Sequence, residues 1–568
     1  MDWPAIGVRG TEATTNDAVV IGAGPNGLVA ANHLADAGWS VLVLEAAGEP
    51  GGAARTAELT EPGFHHDIFS AFYPLAAASP AIGRLGLEDH GLSWCRAPLV
   101  LAHPFPDGRC AVVSSDLDET AGSLEAFAAG DGAAWRRIFD EWQRVADPLI
   151  DAALGPFPPV RAVGRLVARL GARDTARLAR HLLLPVRRMA EERFAGEGGA
   201  VVLGGNAMHA DLAPEAAGSG AYGWLLSCLA QQVGFPVPRG GAAGLTGALV
   251  ARLEAHGGSV RCSEPVTEVV VRAGRAVGVR TLDGATHAAR RAVLADVSAP
   301  ALYRQLLASD HLPADVLDDV GRFEWDPATV KVDWSLDGSV PWTAPEARRA
   351  GTVHVADGMD DLTGVAADLA TGRLPARPML ICGQQSLADP SRCPPGTSTL
   401  WAYTHVPRTV RGDAAGELAT ARGELDWLDG FVDRLEERVE RLAPGFVTRV
   451  RHRHVLSPSG LEAADANLVG GAIGGGTCQL HQQGVFRPVP GSGRPETPVA
   501  GLYLASASAH PGAGVHGAAG ANAARAAMRA GARPRSWMFG GGSPPTVAGA
   551  RRRRRDDDAE GKATPRRA

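Results

Sequence analysis

The stretch Asp17–Ala46, DAVVIGAGPNGLVAANHLADAGWSVLVLEA, decides the fold. Residues 18–21 form an unbroken apolar run, which is typical of a parallel strand buried on both faces. Pro25 opens a stretch with apolar residues at helical spacing, and Gly38 ends it. A second apolar run follows at 41–44. Strand, short helix and strand predict a right-handed parallel βαβ unit, and therefore the α/β fold class.

The turn between the first strand and the helix, GAGPNG at 22–27, fits the pattern GxGxxG. Gly22 makes the tight turn, Gly24 lets the backbone approach a diphosphate, and Gly27 lets helix and strand pack closely. The diphosphate would meet the positive end of the helix dipole. Glu45, eighteen residues after Gly27, ends the second strand and can accept hydrogen bonds from ribose hydroxyls. The pattern predicts a dinucleotide site.

Two later stretches are predicted to complete the same sheet. The first is a helix at 244–256 followed by strands near 259–262, 266–272, 276–282 and 292–295. The second is a strand at 501–505, a glycine-rich turn and an alanine-rich helix at 518–530. The glycines at 241, 244 and 247 do not follow a buried strand, so a second dinucleotide site is not expected.

Composition excludes several classes of function. The chain has 568 residues, with 56 basic and 62 acidic side chains and a formal charge of −6, so no basic field is available for nucleic acid. Its seven cysteines include no CxxC pair and no metal-ligand spacing. Residues 1–16 lack the segments of a signal peptide, and no apolar run reaches eighteen residues. A cytoplasmic protein is expected.

A glycine pair in PGGAART, residues 50–56, indicates which dinucleotide binds. The order of these features along the chain is strand, GxGxxG, glutamate and glycine pair. This order resembles the FAD domain of the amine oxidase, protoporphyrinogen oxidase and phytoene desaturase superfamily. The resemblance implies FAD as cofactor and adds Gly51, Gly52 and Arg55 to its site. Most members carry arginine directly after the pair, whereas Ala53 and Ala54 intervene here.

The C-terminal stretch SAHPGAGVHG, 508–517, is similar to the closing motif of phytoene desaturases and their carotenoid-isomerase-like relatives. EPGFHHDIFSAFYP at 61–74 and VFRPVPG at 485–491 resemble the branch typified by pyridine nucleotide-disulfide oxidoreductase domain-containing protein 2. The resemblance implies that this turn lies against the flavin and that the backbone of Val266 lies beside the adenine. The expected cofactor-binding residues are Gly22, Gly24, Pro25, Asn26, Gly27, Glu45, Gly51, Gly52, Arg55, Val266, Pro511, Gly512, Gly514 and Val515.

Three residues are candidates for catalysis. His510 and His516 lie in the closing turn, where each could orient substrate or exchange a proton, or simply cap the turn. Lys331 stands in TVKVDWSL, in a chain with one other lysine, Lys562. Amine oxidases of the superfamily place a lysine near the reactive nitrogen of the flavin. Strand alternation also fits a solvated face that carries Lys331 and Asp333.

The expected architecture is a discontinuous, Rossmann-like FAD-binding domain with a mixed α+β substrate domain. The domain assignments are a flexible N-terminus at 1–16, the FAD domain at 17–100, 239–304 and 498–532, the substrate domain at 101–238 and 305–497, and a disordered tail at 533–568. Residues 160–193 read as helical with a break at Pro185. Arginines recur there every fourth residue from Arg161, which predicts either a patch at 161–180 that contacts a membrane peripherally or an ordinary solvated helix.

The predicted function is hydride transfer from a small, apolar or amine-type substrate to FAD. A desaturase needs a hydride acceptor and a weak proton acceptor beside an apolar tunnel, which agrees with the lack of an obvious acid–base pair in the sequence. Two alternatives stay open. One is a flavin-dependent isomerase without net redox, and the other is a non-enzymatic flavoprotein that acts through protein partners.

Overall fold

The computed structural model describes residues 15–532. Its strands are β1 Thr15–Ile21, β2 Val41–Leu44, β3 Thr56–Glu58, β4 His65–Asp67, β5 Trp94–Cys95, β6 Leu99–Pro104, β7 Cys110–Val113, β8 Val237–Pro238, β9 Ser259–Arg261, β10 Val266–Arg272, β11 Arg275–Thr281, β12 Thr286–Ala295, β13 Ala328–Asp337, β14 Ala350–Val355, β15 Arg373–Leu374, β16 Leu380–Gly383, β17 Thr397–Val406, β18 Gly412–Asp413, β19 Val450–Leu456 and β20 Leu502–Leu504.

The α-helices are α1 Pro25–Asp36, α2 Pro74–Ala78, α3 Pro80–Gly83, α4 Leu117–Glu125, α5 Asp131–Leu154, α6 Val160–Leu183, α7 Val186–Arg193, α8 Glu197–Ala207, α9 Ser219–Val233, α10 Ala243–Ala255, α11 Ala299–Ala301, α12 Ala314–Gly321, α13 Met359–Ala370, α14 Gln385–Ala388, α15 Glu424–Leu442, α16 Pro458–Ala464 and α17 Ala518–Ala532.

The first sheet has the strand order β10-β11-β12-β1-β2-β9, and β20 also pairs with β12. β1 runs parallel to both β2 and β12, as the βαβ reading requires, and β10 to β12 form the antiparallel meander. Ala18 and Val20 pack under α1, α10 and α17, while Val19 and Ile21 pack on the opposite face. Burial on both faces explains why β1 is uniformly apolar.

The second sheet has the strand order β19-β13-β17-β16-β14-β6-β7. Val330, Val332 and Trp334 of β13 pack against α15, through Phe431 and Leu435 among others. The opposite face of β13 and β17 looks toward the first sheet. The chain therefore builds two seven-stranded sheets with separate cores, and the space between them holds the site described below.

One boundary differs from the predicted ones, and one predicted helical region has an additional kink. Thr15 and Asn16 belong to β1 rather than to the stretch expected to be flexible, and the rest of that stretch and the tail at 533–568 lie outside the described residues. The helical region at 160–193 does break at Pro185, between α6 and α7, but it also kinks at Gly171, whose φ is +75°. Glycine adopts this left-handed conformation without the cost that a Cβ brings.

Candidate functional site

A cavity of about 1390 Å³ lies between the two sheets. Pockets for one small ligand usually measure about 300–1,000 Å³, so this cavity has room for more than one. Its first half is walled by the glycine turn, the end of β2 and the residues after β12. Its second half is walled by the inner face of β13, β14, β16 and β17 and by α5, α6 and α9.

The glycine turn has no space for side chains. A Cβ at Gly27 would lie 2.2 Å from the carbonyl oxygen of Gly22, and one at Gly24 would lie 2.7 Å from a carboxyl oxygen of Asp296. The predicted glycine pair returns to this turn. Gly51 N donates to the carbonyl of Ala23 (2.9 Å), and a Cβ at Gly52 would lie 3.1 Å from the Cα of Gly24. Close backbone packing therefore requires glycine here.

Glu45 stands at the end of β2 and lines the cavity, as predicted. Its carboxylate accepts hydrogen bonds from the backbone N–H groups of Ala23 (2.7 Å) and Ala47 (2.9 Å). It therefore ties the glycine turn to the strand end. A carboxylate has about four acceptor positions, so ribose hydroxyls can still be received.

Arg55 also lines the cavity. It donates from Nε to the carbonyl of Gly52 (2.9 Å) and from Nη2 to that of Ala464 (2.6 Å), and its guanidinium lies 5.2 Å from the ring centre of Phe69. These contacts fix the glycine pair to α16. Ala464 belongs to the stretch assigned to the substrate domain, so that stretch also contributes to the cofactor half of the wall.

The closing turn supplies one end of the cavity wall. Pro511, Gly514, Val515 and His516 line it, and so does Val266 at the start of β10. Gly512 stands behind the wall, where a Cβ would lie 3.2 Å from the guanidinium carbon of Arg487. Gly27 of the glycine turn and Gly51 of the glycine pair are likewise absent from the cavity lining.

The two histidines of the closing turn have different surroundings. His516 is buried, and its Nδ1 accepts a hydrogen bond from Ala518 N (3.0 Å) at the start of α17. Burial lowers the pKa of His516 to about 4, so the ring is neutral at pH 7. His510 does not line the cavity, because its Nε2 pairs with the carbonyl of Gly155 (3.1 Å).

Lys331 lines the cavity and is 3% exposed, so the reading of its strand face as solvated is wrong. Its ammonium forms an ion pair with Asp333, which is fully buried. His66 Nδ1 lies 3.5 Å from the other carboxylate oxygen of Asp333. Burial alone would raise the pKa of Asp333, but Lys331 and His66 outweigh it and hold that pKa below its usual value. The face is buried because strand β4 and its neighbours cover it.

Sequence reasoning missed an aromatic and histidine cluster on the same sheet. Trp401 and Tyr403 line the cavity and stack with their ring centres 5.6 Å apart. His209 reaches Tyr403 through Nδ1 (3.4 Å) and His354 through Nε2 (3.0 Å). Burial lowers the pKa of His209 to about 4. The alternation in TLWAYTHV could have indicated that Trp401 and Tyr403 share one face.

Behind the cavity wall lies a buried arginine that the motif reading did not single out. Arg487 is fully buried, and its hydrogen bonds go to backbone carbonyls of Gly474, Gly475, Gly476, Thr477 and Ala507. The carboxylate of Asp326 accepts from backbone N–H groups of the same loop, at 2.7 Å from Ile473 and Gly474. Together the two side chains hold the loop that faces the cavity.

One arm of the cavity is apolar. Its lining residues are Leu149, Ala152, Ala153, Leu154, Leu182, Ala221, Tyr222, Leu225 and Leu226, from α5, α6 and α9, and none of them is charged. We call this set the apolar arm. It gives the second half of the cavity the character of a site for an organic molecule.

Within residues 15–532, no three His, Cys, Asp or Glu side chains are grouped so that they could hold a metal ion. The seven cysteines all lie in this range, and none is in a disulfide.

Fold and cavity define a dinucleotide-binding oxidoreductase with a Rossmann-like domain. Residues 20–84 match the family described as NAD(P)-binding Rossmann-like domain. The chain is 30% identical to pyridine nucleotide-disulfide oxidoreductase domain-containing protein 2 of Rattus norvegicus, over 92% of this chain and 95% of the rat protein. The chain belongs to that family.

More distant relatives show how widely this architecture is shared. The chain is 26% identical to the neurosporene-forming phytoene desaturase of Rhodobacter capsulatus, over 88% of this chain and 91% of the desaturase. The solved structure of putrescine oxidase bound to putrescine aligns with a TM-score of 0.58 at 16% identity, covering 92% of this chain and all of the oxidase. The predicted fold class and superfamily are thereby confirmed.

Proposed function

We propose that this protein is an FAD-dependent oxidoreductase that transfers hydride from an apolar or amine-type small molecule to the flavin. The observation that carries the proposal is the single cavity, which runs from the glycine turn at 22–27 to the aromatic pair Trp401 and Tyr403. In the first half, the glycine turn and Glu45 can bind the diphosphate and a ribose of a dinucleotide. The second half is walled by aromatic and apolar side chains. Cofactor and substrate can therefore meet inside one continuous cavity.

Several features support FAD as the dinucleotide. The glycine pair closes on the diphosphate turn, and the closing turn at 508–517 walls the far end, as in the superfamily that the sequence resembles. The amide oxygen of Asn26 is buried without a partner among the described residues, so it is free to receive a ligand donor. When bound, FAD supplies the hydride acceptor, and the protein supplies binding, orientation and exclusion of water.

We propose a role for each of the three candidate catalytic residues, Lys331, His516 and His510. Lys331 places Nζ at the cavity wall, where it forms an ion pair with the buried carboxylate of Asp333. His516 stays neutral and orders the closing turn through its bond to Ala518. His510 fixes the same turn from outside the cavity through Gly155.

The substrate class follows from the apolar arm. The apolar arm carries no charged residue and favours the uncharged part of an organic molecule, because burying an unpaired charge is costly. The phytoene desaturase relative is named for an apolar substrate and the putrescine oxidase for an amine. We therefore propose an apolar compound or a neutral amine, with the oxidisable bond beside Trp401 and Tyr403.

The test is the visible spectrum of the purified protein, photoreduced without oxygen and then followed as air is admitted. We expect oxidised flavin bands that bleach on reduction. Prompt recovery in air would indicate an oxidase. Slow recovery would indicate a desaturase that uses another electron acceptor, or an isomerase without net redox. Absence of flavin bands despite added FAD would overturn the proposal. Glu45→Ala should lose FAD on gel filtration, and retention of stoichiometric flavin would contradict the assignment of Glu45.

The two alternatives are separated by further outcomes. An isomerase would return a product of unchanged mass, because net dehydrogenation removes two hydrogens. A non-enzymatic flavoprotein would bind FAD and show no reduction by any substrate in a panel of isoprenoids and amines. Substrate-dependent bleaching with a product lighter by two hydrogens would support the oxidoreductase.

We also propose that the protein is cytoplasmic and contacts membranes peripherally through α6, with no nucleic-acid partner. Residues 160–183 carry six arginines against one aspartate. Val160, Val163 and Val167 form an exposed apolar stripe on the same helix. Such a helix can lie on an anionic lipid surface. Among residues 15–532, no helix is both long and apolar enough to cross a bilayer.

A further inference from the structure

Asp296 lines the cofactor half of the cavity. It directly follows β12, which lies beside β1, and its backbone N–H donates to the carbonyl of Ile21 (2.7 Å). Asn467 donates to its carbonyl oxygen from the other side (3.2 Å). The side chain is therefore held in one place by backbone contacts on both sides.

Its carboxyl group lies inside the glycine turn. Oδ2 accepts a hydrogen bond from the backbone N–H of Gly27 (2.8 Å) and stands 2.7 Å from the position of a Cβ at Gly24. Backbone N–H groups at this helix start are the usual donors to a dinucleotide diphosphate. The residue is 7% exposed and lines the cavity, and Oδ1 has no hydrogen bond to another described residue. An unpartnered carboxyl oxygen thus faces the ligand space.

Other acidic groups surround this carboxyl. Glu45 lies across the turn, and Asp465 follows α16, with Oδ2 3.5 Å from the position of a Cβ at Gly52. Glu462 lines the cavity as well, and Arg55 is the basic residue of this wall. Burial, together with Asp465 and Glu45, raises the pKa of Asp296 to about 8. Burial raises the pKa of Asp465 also, against the opposing effect of Arg55.

We propose that Asp296 contacts the diphosphate part of FAD as a neutral carboxylic acid, so that FAD binding takes up a proton above neutral pH. This inference rests on the proposed function, because it requires FAD in this cavity. A neutral carboxyl accepts through one oxygen and donates through the other, whereas a carboxylate only accepts. An ionised Asp296 would repel the negatively charged diphosphate at close range. The neutral form of Asp296 avoids this repulsion, so an acidic side chain can occupy the glycine turn when FAD is bound.

The experiment is an FAD titration of the full-length protein after its flavin has been removed, between pH 6.5 and pH 9.5. One linked proton predicts that Kd rises about tenfold from pH 7 to pH 9. Asp296→Asn keeps the acceptor for Gly27 and cannot ionise, so its Kd should not change with pH. Asp283→Asn, in the exposed turn between β11 and β12, is the matched control and should behave as the wild type.

Calorimetry gives a second readout that does not depend on any variant folding. The heat of FAD binding is measured in two buffers of different ionisation enthalpy, and the difference between the two heats gives the number of protons taken up. We expect close to one proton per FAD at pH 9 and close to none at pH 6.5.

Several outcomes would overturn the inference. A Kd that does not change with pH, no proton uptake at pH 9, or a pH dependence that survives in Asp296→Asn would each do so. Loss of the pH dependence in Asp465→Asn with its retention in Asp296→Asn would place the proton on Asp465 instead. Absence of FAD binding at every pH would overturn the proposed function and this inference together. Binding without a pH dependence would overturn the inference alone.

Discussion

At the residue scale, the surroundings of a side chain decide its chemistry. Lys331 and Lys562 are the lysines among 56 basic residues, and the fold places Lys331 in a buried ion pair at the cavity wall. Removing charge from water is costly, and the pairing with Asp333 offsets that cost. Burial, with Asp465 and Glu45 nearby, raises the pKa of Asp296, and no basic side chain among residues 15–532 forms an ion pair with its carboxyl group.

Replacing Lys331 tests its proposed place beside the flavin. Lys331→Met should slow reoxidation of the reduced flavin by air by roughly a hundredfold, the lower range for loss of one preorganised polar group. Stopped-flow absorbance at the flavin bands measures the rate. Because Asp333 is left unpaired, Lys331→Met combined with Asp333→Asn separates loss of the charge from loss of stability. Lys562→Met is the control, and wild-type rates in Lys331→Met would leave Lys331 with a structural role alone.

Asp296 also affects stability, and the sign follows from its pKa. The pKa is about 8 in the folded chain against an ordinary value of 3.8, so between pH 4 and pH 8 the folded state binds more protons than the unfolded state. The free energy of unfolding therefore falls as pH rises through this window. In the absence of FAD, we expect Asp296→Asn to have a higher Tm than the wild type, and this difference in Tm should grow from pH 5 to pH 8. A difference in Tm that stays constant with pH, as expected for Asp283→Asn, would contradict this.

At the element scale, β13 explains why one strand carries both core and site. Val330, Val332 and Trp334 pack on α15, and Lys331 and Asp333 alternate with them toward the cavity. Alternation correctly separated the two faces. It could not tell a solvated face from a buried one, because burial of the polar face depends on chain segments far away in sequence, such as β4 with His66.

The helix α6 carries the prediction of membrane contact. Arg169→Glu with Arg173→Glu should weaken binding to vesicles containing phosphatidylserine by more than about tenfold, because each basic residue near an anionic surface contributes about 1 kcal/mol. Cosedimentation at physiological ionic strength measures it. Arg272→Glu with Arg411→Glu changes charge equally at exposed sites elsewhere and should bind as the wild type. Equal binding of both variants would show that α6 is an ordinary solvated helix.

At the scale of the whole molecule, the cavity joins the two sheets, so its ligand contacts both halves. FAD at a hundred times its Kd should stabilise the folded chain by about 2.7 kcal/mol and raise Tm. Differential scanning calorimetry of the flavin-free protein measures this. NAD⁺ at the same concentration is the control and should leave Tm unchanged. Protection by NAD⁺ rather than by FAD would reverse the assignment of the cofactor.

The sequence by itself determined the glycine turn and the strands and helix that carry it. Asp17–Ala46 contains strand, turn, helix and strand in one local unit, and the glycines at 22, 24 and 27 are required by contacts within that unit or with its neighbouring strand. Local periodicity and turn chemistry are visible in a single stretch of chain, so these elements lie where they were predicted.

The tertiary structure alone decided the rest of the site. Asp296 and Trp401 reach the cavity wall from distant stretches, and Asp333 and His66 meet in the buried cluster beside Lys331. Neither their approach nor their burial is encoded in any local pattern. Burial and neighbouring charges set the pKa values on which the chemistry of these groups depends. Glu45 and Asp296 illustrate the difference. Both follow a parallel strand directly, but the pairing of β12 with β1 is what brings Asp296 into the glycine turn.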